Sequence, residues 1–406
     1  MSRIDDLIAK LCPDGVEYKR LGDIGNFTRG SGIQKKDFVE NGKPCIHYGQ
    51  IYTFYGLCAD KTKSFISDEL FKTRKKATHG DLVIATTSEN DEDVCKCVAW
   101  LGDEPCAVSG DAYIYKHTAD PKYMAYLFSS ELFQSQKKRF ITGTKVLRVS
   151  SDAMEKFEVP VPPMEIQQEI VKVLDSFIKL EAELEAELEA RRAQYRYYRD
   201  QLLSFERERV QWLRLADCCS QICSGATPNK KNPAYYQDAT VPWLRTQEVR
   251  YAGITDISGR ITELALKETA AKLIPKNCVI VAISGASAGR CAINKIECAT
   301  NQHCLNLEIN PAIALYKYVY HCVCNQTEEL LSRKEGARGD LNAGKVKSMK
   351  IPVPSLDTQR QIVDILDRFD DLTTSLTDGL PAEIEARRQQ YAYYRDRLLA
   401  LPRKSS

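Results

Sequence analysis

Features that mark several common protein classes are missing from this sequence. No apolar run approaches the roughly 20 residues that a membrane-spanning helix needs. The opening residues, MSRIDDLIAKLCPDG, carry acidic side chains where a secretory signal would be basic and then apolar. We therefore expect a soluble, globular chain in the cytoplasm, with no membrane partner. In that reducing compartment the 15 cysteines are expected to be buried free thiols.

Signatures of catalysis are missing as well. No Walker A motif is present to cradle a nucleotide phosphate, and the cysteines and histidines lack the paired spacing of a zinc site. The 5 histidines are scattered, with no nucleophile–base arrangement. A stand-alone enzyme therefore has no support in the sequence. We expect no catalytic residue, no metal and no cofactor on this chain.

The sequence also lacks a strong charge of one sign. Its net charge is only +2, whereas a chain that binds nucleic acid by charge alone would carry much more. The charge is uneven, because residues 205–350 hold 20 basic and 14 acidic residues while residues 159–204 hold 6 and 9. Either the chain binds no nucleic acid, or it binds through local patches and with partners that add charge.

What the sequence does contain is a long internal repeat. The run VPVPPMEIQQEIVKVLDSF at 159–177 returns as IPVPSLDTQRQIVDILDRF at 351–369, an offset of 192. Each copy closes on a shared signature, ARRAQYRYYRDQLL at 190–203 and ARRQQYAYYRDRLL at 386–399. A repeat of this length predicts an architecture of two related halves.

Each copy of the repeat is predicted to be a long helix. A proline-rich start is followed by apolar residues at every third or fourth position, which is the spacing of one apolar helix stripe. A single stripe on a rod of about 40 residues, about 60 Å long, needs a partner. We expect the two rods to pair as an antiparallel coiled coil, with Leu180, Leu184 and Leu188 near Leu372, Leu376 and Leu380. Gly379 and Pro381 predict a break in the second rod.

The remaining segments are predicted to be two mixed α/β units. Residues 81–86, 112–116, 278–284 and 304–309 have strand-like composition. Residues 1–20 resemble the end of a repeat at an offset of 194, so the head and tail of the chain should fit together as a closed, pseudo-two-fold ring. We expect an α+β protein with a first unit at 1–158, a central helical segment at 159–205, a second unit at 206–350 and a C-terminal helical segment at 351–406.

Polar loops in both units carry residues suited to nucleic acid. Arg, Lys, Asn and Gln can read base edges, and Lys, Ser and Thr can also bind phosphates. The candidates in the second unit are Thr227, Asn229, Lys230, Lys231, Arg245, Thr246, Gln247, Arg290, Gln302 and His303. The candidates in the first unit are Arg29, Lys35, Lys36, His47, Tyr48, Gln50, Thr87, Lys145 and Arg148.

With these residues in view, the chain resembles the specificity subunits of type I restriction-modification enzymes over essentially its whole length. The resemblance is carried by both helical runs and by SGATPNKKNPAYY followed by VPWLRT. It implies two target-recognition domains, each reading one half of a bipartite site in double-stranded DNA, and two helices that set the unread spacer. It also implies a non-catalytic chain that assembles with two modification subunits and with restriction subunits. S-adenosylmethionine, ATP and Mg would then bind to those partners.

A second hypothesis stays open beside this one. The chain could be a protein-interaction scaffold that uses its rods as a coiled coil and has no DNA specificity. The two hypotheses differ in what the loops do, and binding to selected DNA in the presence of modification subunits separates them.

Overall fold

The chain folds into two units that together reproduce the internal repeat. The structure is a computed structural model that describes residues 2–206, 208–332, 341–375 and 379–404. Unit 1 comprises residues 1–183 and 385–406, and unit 2 comprises residues 184–384. The central helical segment is therefore divided between the two units.

Helices of very different length connect short strands throughout the chain. The α-helices are α1 Ser2–Leu11, α2 Leu21–Ile24, α3 Tyr48–Thr53, α4 Asp68–Thr73, α5 Pro121–Ser129, α6 Glu131–Lys138, α7 Ser151–Met154, α8 Met164–Leu202, α9 Glu263–Glu268, α10 Tyr316–Asn325, α11 Thr327–Ser332, α12 Ala343–Lys347, α13 Leu356–Thr374 and α14 Leu380–Leu399. Short 3-10 helices lie at Lys35–Asp37, Leu215–Cys218, Pro233–Tyr235, Thr246–Glu248 and Gly285–Ser287.

The strands of unit 1 are β1 Tyr18–Arg20, β2 Gly25–Arg29, β3 Phe38–Val39, β4 Lys43–Ile46, β5 Cys58–Ala59, β6 Ser64–Ile66, β7 Lys76–Ala77, β8 Leu82–Ala85, β9 Thr87–Ser88, β10 Cys97–Trp100, β11 Cys106–Val108, β12 Ala112–His117, β13 Leu147–Arg148 and β14 Glu158–Pro160. The strands of unit 2 are β15 Gln211–Arg214, β16 Cys219–Ser224, β17 Val241–Leu244, β18 Gly253–Ile254, β19 Arg260–Ile261, β20 Leu273–Ile274, β21 Val279–Ala282, β22 Cys291–Asn294, β23 Cys298–Thr300, β24 Cys304–Ile309 and β25 Lys350–Val353. The predicted strands near 81–86, 112–116, 278–284 and 304–309 are confirmed.

The sheets of the two units have matching strand orders. Unit 1 has a five-stranded sheet β2-β12-β8-β10-β5, and unit 2 has β16-β24-β21-β22-β18. A second sheet has the order β3-β6-β4-β11-β7 in unit 1 and β19-β17-β23-β20 in unit 2. The central strands β8 and β21 are apolar and buried along their whole length, as expected for strands covered on both faces.

A short two-stranded sheet precedes the first helix of each repeat copy, α8 in unit 1 and α13 in unit 2. β1 pairs with β14 in unit 1, and β15 pairs with β25 in unit 2, both antiparallel. The hydrophobic core of each unit then continues onto the first part of that helix. Ile166, Ile170 and Leu174 are buried in the core of unit 1, and Ile362 and Leu366 are buried in that of unit 2. The predicted apolar stripe is therefore confirmed in this part of both rods.

The second rod is interrupted where the sequence predicts it. α13 starts at a Ser355 cap, whose Oγ accepts from Thr358 N at 3.2 Å, and ends at Thr374. α14 begins at Leu380. In unit 1, α8 pairs antiparallel with α14, because Phe177 stacks on Tyr394 and Arg388 Nε donates to Glu181 Oε1 at 2.6 Å.

The leucine ladder is only partly buried. Leu188 is 8% exposed, and Leu184 and Leu380 are half-buried. Leu180 and Leu372, also predicted to lie along the helix pair, are 36% and 37% exposed. Stacked aromatic side chains join the helices, Phe177 with Tyr394 in unit 1 and Tyr198 with Phe369 in unit 2. Leu376 lies outside the described residues.

The head and the tail of the chain contact each other within unit 1. Val16 N donates to Pro402 O at 2.7 Å, and Lys404 N donates to Val16 O at 2.9 Å. Tyr18 Oη donates to Leu401 O at 2.7 Å. The predicted fit of head and tail is confirmed, since these backbone bonds form a small parallel bridge.

The expectation of buried free thiols is met by the structure. Most of the cysteines are buried, and all are free thiols. Burial raises the pKa of several of these thiols, for example Cys45 and Cys304 to about 12, so they are protonated at neutral pH.

None of the helices in the described ranges is long and apolar enough to cross a membrane.

Candidate nucleic-acid interface

The turn between β11 and β12 is the centre of a polar cluster in unit 1. Arg29, at the end of β2, donates from Nε to Gly110 O at 2.8 Å, and its Nη2 lies 3.6 Å from Asp111 Oδ1. A Cβ at Gly30 would lie 2.1 Å from Ser109 O, so only glycine allows this close approach. The guanidinium remains largely exposed and is held in position by the turn.

The first turn of α3 lies against the same loop. His47 caps the helix through its Nδ1, and the Gln50 side chain accepts from His47 N at 3.2 Å. Tyr48 N donates to Ser109 Oγ at 2.8 Å, which joins the cap to the turn. Burial, and then the charge of Lys35, lower the pKa of His47, so the imidazole is neutral at neutral pH. Because Nδ1 already accepts from Gly49 N, the neutral ring carries its proton on Nε2 and can present that N–H as a donor to a base edge.

Some of the remaining candidates of unit 1 lie on paired strands, and others lie at exposed positions of loops or short helices. Thr87 pairs with Arg148 across β9 and β13, and Tyr52 Oη donates to Thr87 O. Lys145 lies exposed in the loop that leads into β13. Lys36 is exposed on the short helix Lys35–Asp37. The turn between β11 and β12 thus connects Arg29 with the cap formed by His47, Tyr48 and Gln50. Thr87 and Arg148 are linked to α3 through the bond from Tyr52.

Unit 2 has the equivalent turn between β23 and β24. Thr227 Oγ1 donates to Gln302 Oε1 at 2.5 Å, and Gln302 Nε2 lies 3.1 Å from His303 Nε2. A Cβ at Gly225 would lie 1.9 Å from Thr300 O, so glycine again allows the close approach. Three of the predicted residues therefore form one hydrogen-bonded group.

The segment after β17 supplies the second part of this cluster. Arg245 N donates to Glu248 Oε2 at 3.1 Å, and Arg245 Nη2 donates to Ser258 Oγ at 3.4 Å. The Nε of Arg245 is buried and has no hydrogen-bond partner within the described ranges. Thr246 is half-buried and Gln247 is exposed on the short helix that follows. Asn301 N donates to Leu244 O at 2.9 Å, which ties this segment to the turn.

The other candidates of unit 2 lie on loops beside these two segments. Lys230 and Lys231 are exposed, and Asn229 Oδ1 accepts from Lys231 N at 3.0 Å. Arg290 is half-buried at the end of a hairpin, where its N–H donates to Ser287 O at 3.0 Å. The C=O of Arg290 accepts from the N–H of Ala282 in β21. Ala282 in turn pairs with Cys304 of β24, the residue that follows His303.

The structure adds two residues that the sequence did not single out. Ser109 and Asp111 occupy in unit 1 the positions of Asn301 and His303 in unit 2, each at an offset of 192. This is the offset of the proline-rich copies, so the repeat itself could have indicated the turn. The side chains of the two turns differ completely, and for that reason composition gave no signal.

The capping segments are equivalent in the same way. In unit 1 the Gln50 side chain accepts from His47 N at the start of α3, and in unit 2 the Glu248 side chain accepts from Arg245 N at the start of the 3-10 helix. These two caps lie at an offset of 198 and at the end of corresponding strands, β4 and β17. One framework therefore presents a different set of donors and acceptors in each unit. Within the described residues no group of His, Cys, Asp and Glu could hold a metal ion.

Comparison with known proteins gives a consistent family. A family model of the type I restriction modification DNA specificity domain matches residues 13–190 and 208–386. The EcoR124I/EcoR124II specificity subunit of Escherichia coli is 36% identical over 266 residues, covering 63% of this chain and 65% of that protein. The EcoprrI specificity subunit of Escherichia coli is 26% identical over 379 residues, covering 89% and 90%. These relatives are named specificity subunits, in agreement with the non-catalytic chain that the sequence predicts.

Solved structures support the same fold. A chain from a study of complex assembly and conformational transition of the type I R-M system matches with a TM-score of 0.62 at 16% identity, covering 95% of this chain and 97% of that one. The S subunit from M. genitalium matches with a TM-score of 0.54 at 13% identity, covering 95% and 96%. Two matched domains, a shared fold and a repeated polar cluster lead to one conclusion: the chain belongs to the family of type I restriction-modification DNA specificity proteins.

Proposed function

We propose that this chain is the DNA-recognition subunit of a type I restriction-modification complex in the cytoplasm. Each of the two domains, 1–158 and 206–350, reads one half of a bipartite target in double-stranded DNA. The observation that carries the proposal is the repeated cluster: equivalent turns and caps occur in both units, with Arg29, His47 and Asp111 in one and Arg245, Gln302 and His303 in the other. Two related backbone frameworks that present different side chains are suited to reading two different half-sites.

The chemistry of the clusters suits base edges in the major groove. Arg29 and Arg245 offer forked donors for guanine O6 and N7, and Gln302 offers the amide that pairs with adenine N6 and N7. The exposed Lys35, Lys36, Lys145, Lys230 and Lys231 are placed on nearby loops and suit phosphate contacts. This division explains how a chain of low net charge can recognise DNA through local patches.

The conserved helices would supply the spacer ruler. α8 is continuous over 39 residues and contains the tandem unit EAEL-EAEL at 181–188. Four helical residues add about 6 Å and a residual rotation of about 40°. One base pair adds about 3.4 Å and about 34° at about 10.5 base pairs per turn. One EAEL unit therefore corresponds to about one base-pair step in rotation.

The same helices would dock the catalytic partners. Tyr197 and Tyr393 occupy equivalent positions in the two signatures and are 61% and 59% exposed. Large aromatic side chains are unusual on a free surface and common at protein interfaces. Two modification subunits, carrying S-adenosylmethionine, would bind at these two equivalent sites. Restriction subunits would bring ATP and Mg.

Methylation mapping of the assembled complex tests the recognition proposal. Arg245→Ala and Gln302→Ala should each relax one position in one half-site, at about 1–3 kcal/mol for a lost base contact, and should leave the other half unchanged. Arg29→Ala and His47→Ala are the matched controls, since they should alter only the opposite half. If all four variants methylate the wild-type motif with unchanged selectivity, the loops do not read DNA and the scaffold hypothesis stands.

Deletion of residues 185–188 tests the ruler in the same assay. Both half-sites should stay the same while the unread spacer shortens by about one base pair. An unchanged spacer at full activity would contradict the ruler and leave half-site recognition intact.

A further inference from the structure

A polar latch joins each recognition domain to its conserved helix. In unit 1, Asp175 on α8 accepts hydrogen bonds from two side chains of α5. Tyr126 Oη donates to Asp175 Oδ1 at 2.6 Å, and Lys122 Nζ donates to Asp175 Oδ2 at 2.7 Å. Tyr126 is 2% exposed, so its hydroxyl reaches Asp175 from inside the core, whereas the side chains of Lys122 and Asp175 are 34% and 39% exposed.

Unit 2 repeats the latch with one change. Asp367 on α13 lies 192 positions after Asp175, and it binds Lys317 and His321 of α10. His321 Nε2 lies 3.0 Å from Asp367 Oδ1, and its Nδ1 lies 3.3 Å from the hydroxyl of Tyr195 on α8. His321 is fully buried. Histidine thus stands where unit 1 has tyrosine, and the acid and the lysine are kept.

A buried glutamine forms a second point of attachment in each unit. Gln167 Oε1 accepts from Asp120 N at 2.8 Å, and its Nε2 donates to Pro162 O at 2.8 Å. The equivalent Gln359 Oε1 accepts from Leu315 N at 2.9 Å, and its Nε2 donates to Pro354 O at 2.9 Å. Each glutamine therefore holds the start of α5 or α10.

Two points of attachment restrict movement that apolar packing alone would allow. Glutamine and aspartate lie eight residues apart on each conserved helix, which is about 12 Å. Hydrophobic burial has no direction, whereas hydrogen bonds fix distance and angle. A rotation of half a base-pair step, about 17°, moves a point about 5 Å from a helix axis by only about 1.5 Å. Such a shift would break hydrogen bonds of 2.6–2.9 Å.

We propose that Lys122, Tyr126 and Asp175, with their counterparts Lys317, His321 and Asp367, are positioning residues that fix the rotational phase of each recognition domain on its helix. With the latch in place, the complex accepts targets of one spacer length. Without the latch, it also accepts targets whose spacer is one base pair longer or shorter. This inference rests on the proposed function of the helices as a ruler. It concerns the tolerance for spacer length and leaves the identity of the half-sites untouched.

The double variant Lys122→Met with Tyr126→Phe tests the latch, because it keeps size and removes both hydrogen bonds to Asp175. The assay measures methylation rates on three DNA duplexes that carry the wild-type half-sites with the cognate spacer, one base pair fewer and one more. We expect the preference for the cognate spacer to fall at least tenfold while the rate on the cognate duplex stays within threefold. Lys179→Met is the matched control, since Lys179 forms an exposed ion pair with Glu183 at 3.7 Å on the same helix.

Two further variants keep the inference falsifiable. Tyr126→Phe alone serves if the double variant fails to fold, and it should lower spacer preference to a smaller extent. His321→Tyr installs the chemistry of unit 1 in unit 2 and should retain the wild-type preference. An unchanged spacer preference in a folded Lys122→Met/Tyr126→Phe complex overturns the inference.

The ruler itself is tested separately by the deletion of residues 185–188. If that deletion moves the spacer while the latch variants stay selective, only the latch is wrong. If the deletion leaves the spacer unchanged, the ruler fails and the latch inference falls with it.

Discussion

The ring of Phe177 stacks on the ring of Tyr394, with centroids 5.5 Å apart and planes inclined by 24°. Unit 2 contains the same relationship, since Tyr198 stacks on Phe369 at 5.6 Å and 26°. The two aromatic pairs are formed by the same two sequence positions of the repeat, exchanged between copies. Each unit therefore joins a helix of one repeat copy to a helix of the other copy through a stacked pair.

Replacing Phe177 with alanine should destabilise unit 1. A half-buried phenylalanine is expected to contribute about 2 kcal/mol through burial, and an aromatic pair adds about 0.5–1.5 kcal/mol. Urea unfolding of Phe177→Ala, Tyr394→Ala and the double variant forms a double-mutant cycle. It should give a coupling energy of about 0.5–1.5 kcal/mol between the two rings. Ile178→Ala is the control, because Ile178 is 37% exposed on the next position and should change stability by under about 1 kcal/mol. Purely additive effects of the two alanines would show that the stack contributes nothing.

Lys137→Met should unfold or loosen the loop that precedes β10. The buried Lys137 ammonium donates to Asp91 O at 2.7 Å, Val94 O at 3.0 Å and Glu92 O at 3.2 Å. Loss of the charge leaves three carbonyls without their donor, at an expected cost of about 3 kcal/mol. Hydrogen exchange of residues 89–95 and the unfolding midpoint measure the effect. The adjacent Lys138 is exposed, and Lys138→Met should match the wild type.

Asp370→Asn should stabilise unit 2 in a way that depends on pH. Burial raises the pKa of Asp370 from 3.8 to about 6, with the nearby charge of Asp367 acting in the same direction. The folded state therefore binds more protons than the unfolded state between about pH 4 and pH 6, and stability falls as pH rises through that window.

The amide removes this penalty, so the variant should be more stable than the wild type above about pH 6, by up to about 3 kcal/mol. Below about pH 4 the two should be equal. Urea unfolding at several pH values measures the difference. Asp364→Asn, an exposed position on the same helix, should show no such gain. A constant difference at all pH values would contradict the titration of Asp370.

A circular permutant should fold and retain its half-sites. Val16 already pairs with the backbone of Pro402 and Lys404, so the tail is docked beside the end of α1. α1 spans about 15 Å, and a linker of about eight flexible residues can connect the two ends around it. The new ends would lie in segment 206–209, between α8 and β15. Methylation mapping of the permutant with modification subunits should give the wild-type motif. A permutant opened inside β8, which is fully buried, is the control expected to fail.

Local sequence patterns were enough to predict the repeat, the long helices, the break near Gly379 and the main strands. Periodicity and the effects of proline and glycine are local signals. The offset between the copies is found by comparing the sequence with itself. The sequence also identified the loops that hold Arg29, His47, Arg245 and Gln302, because donor-rich side chains cluster there.

The way those parts combine depends on tertiary packing. Leu180 and Leu372 satisfy the spacing of the apolar stripe and are nevertheless exposed, while stacked aromatic pairs join the helices. Asp111 became part of the cluster because Arg29 from another strand reaches it. Asp175 and Asp367 look like ordinary surface residues of a helix until α5 and α10 bring lysine, tyrosine and histidine to them. Contacts between residues distant in sequence depend on how sheets and helices pack, and no local pattern encodes that packing.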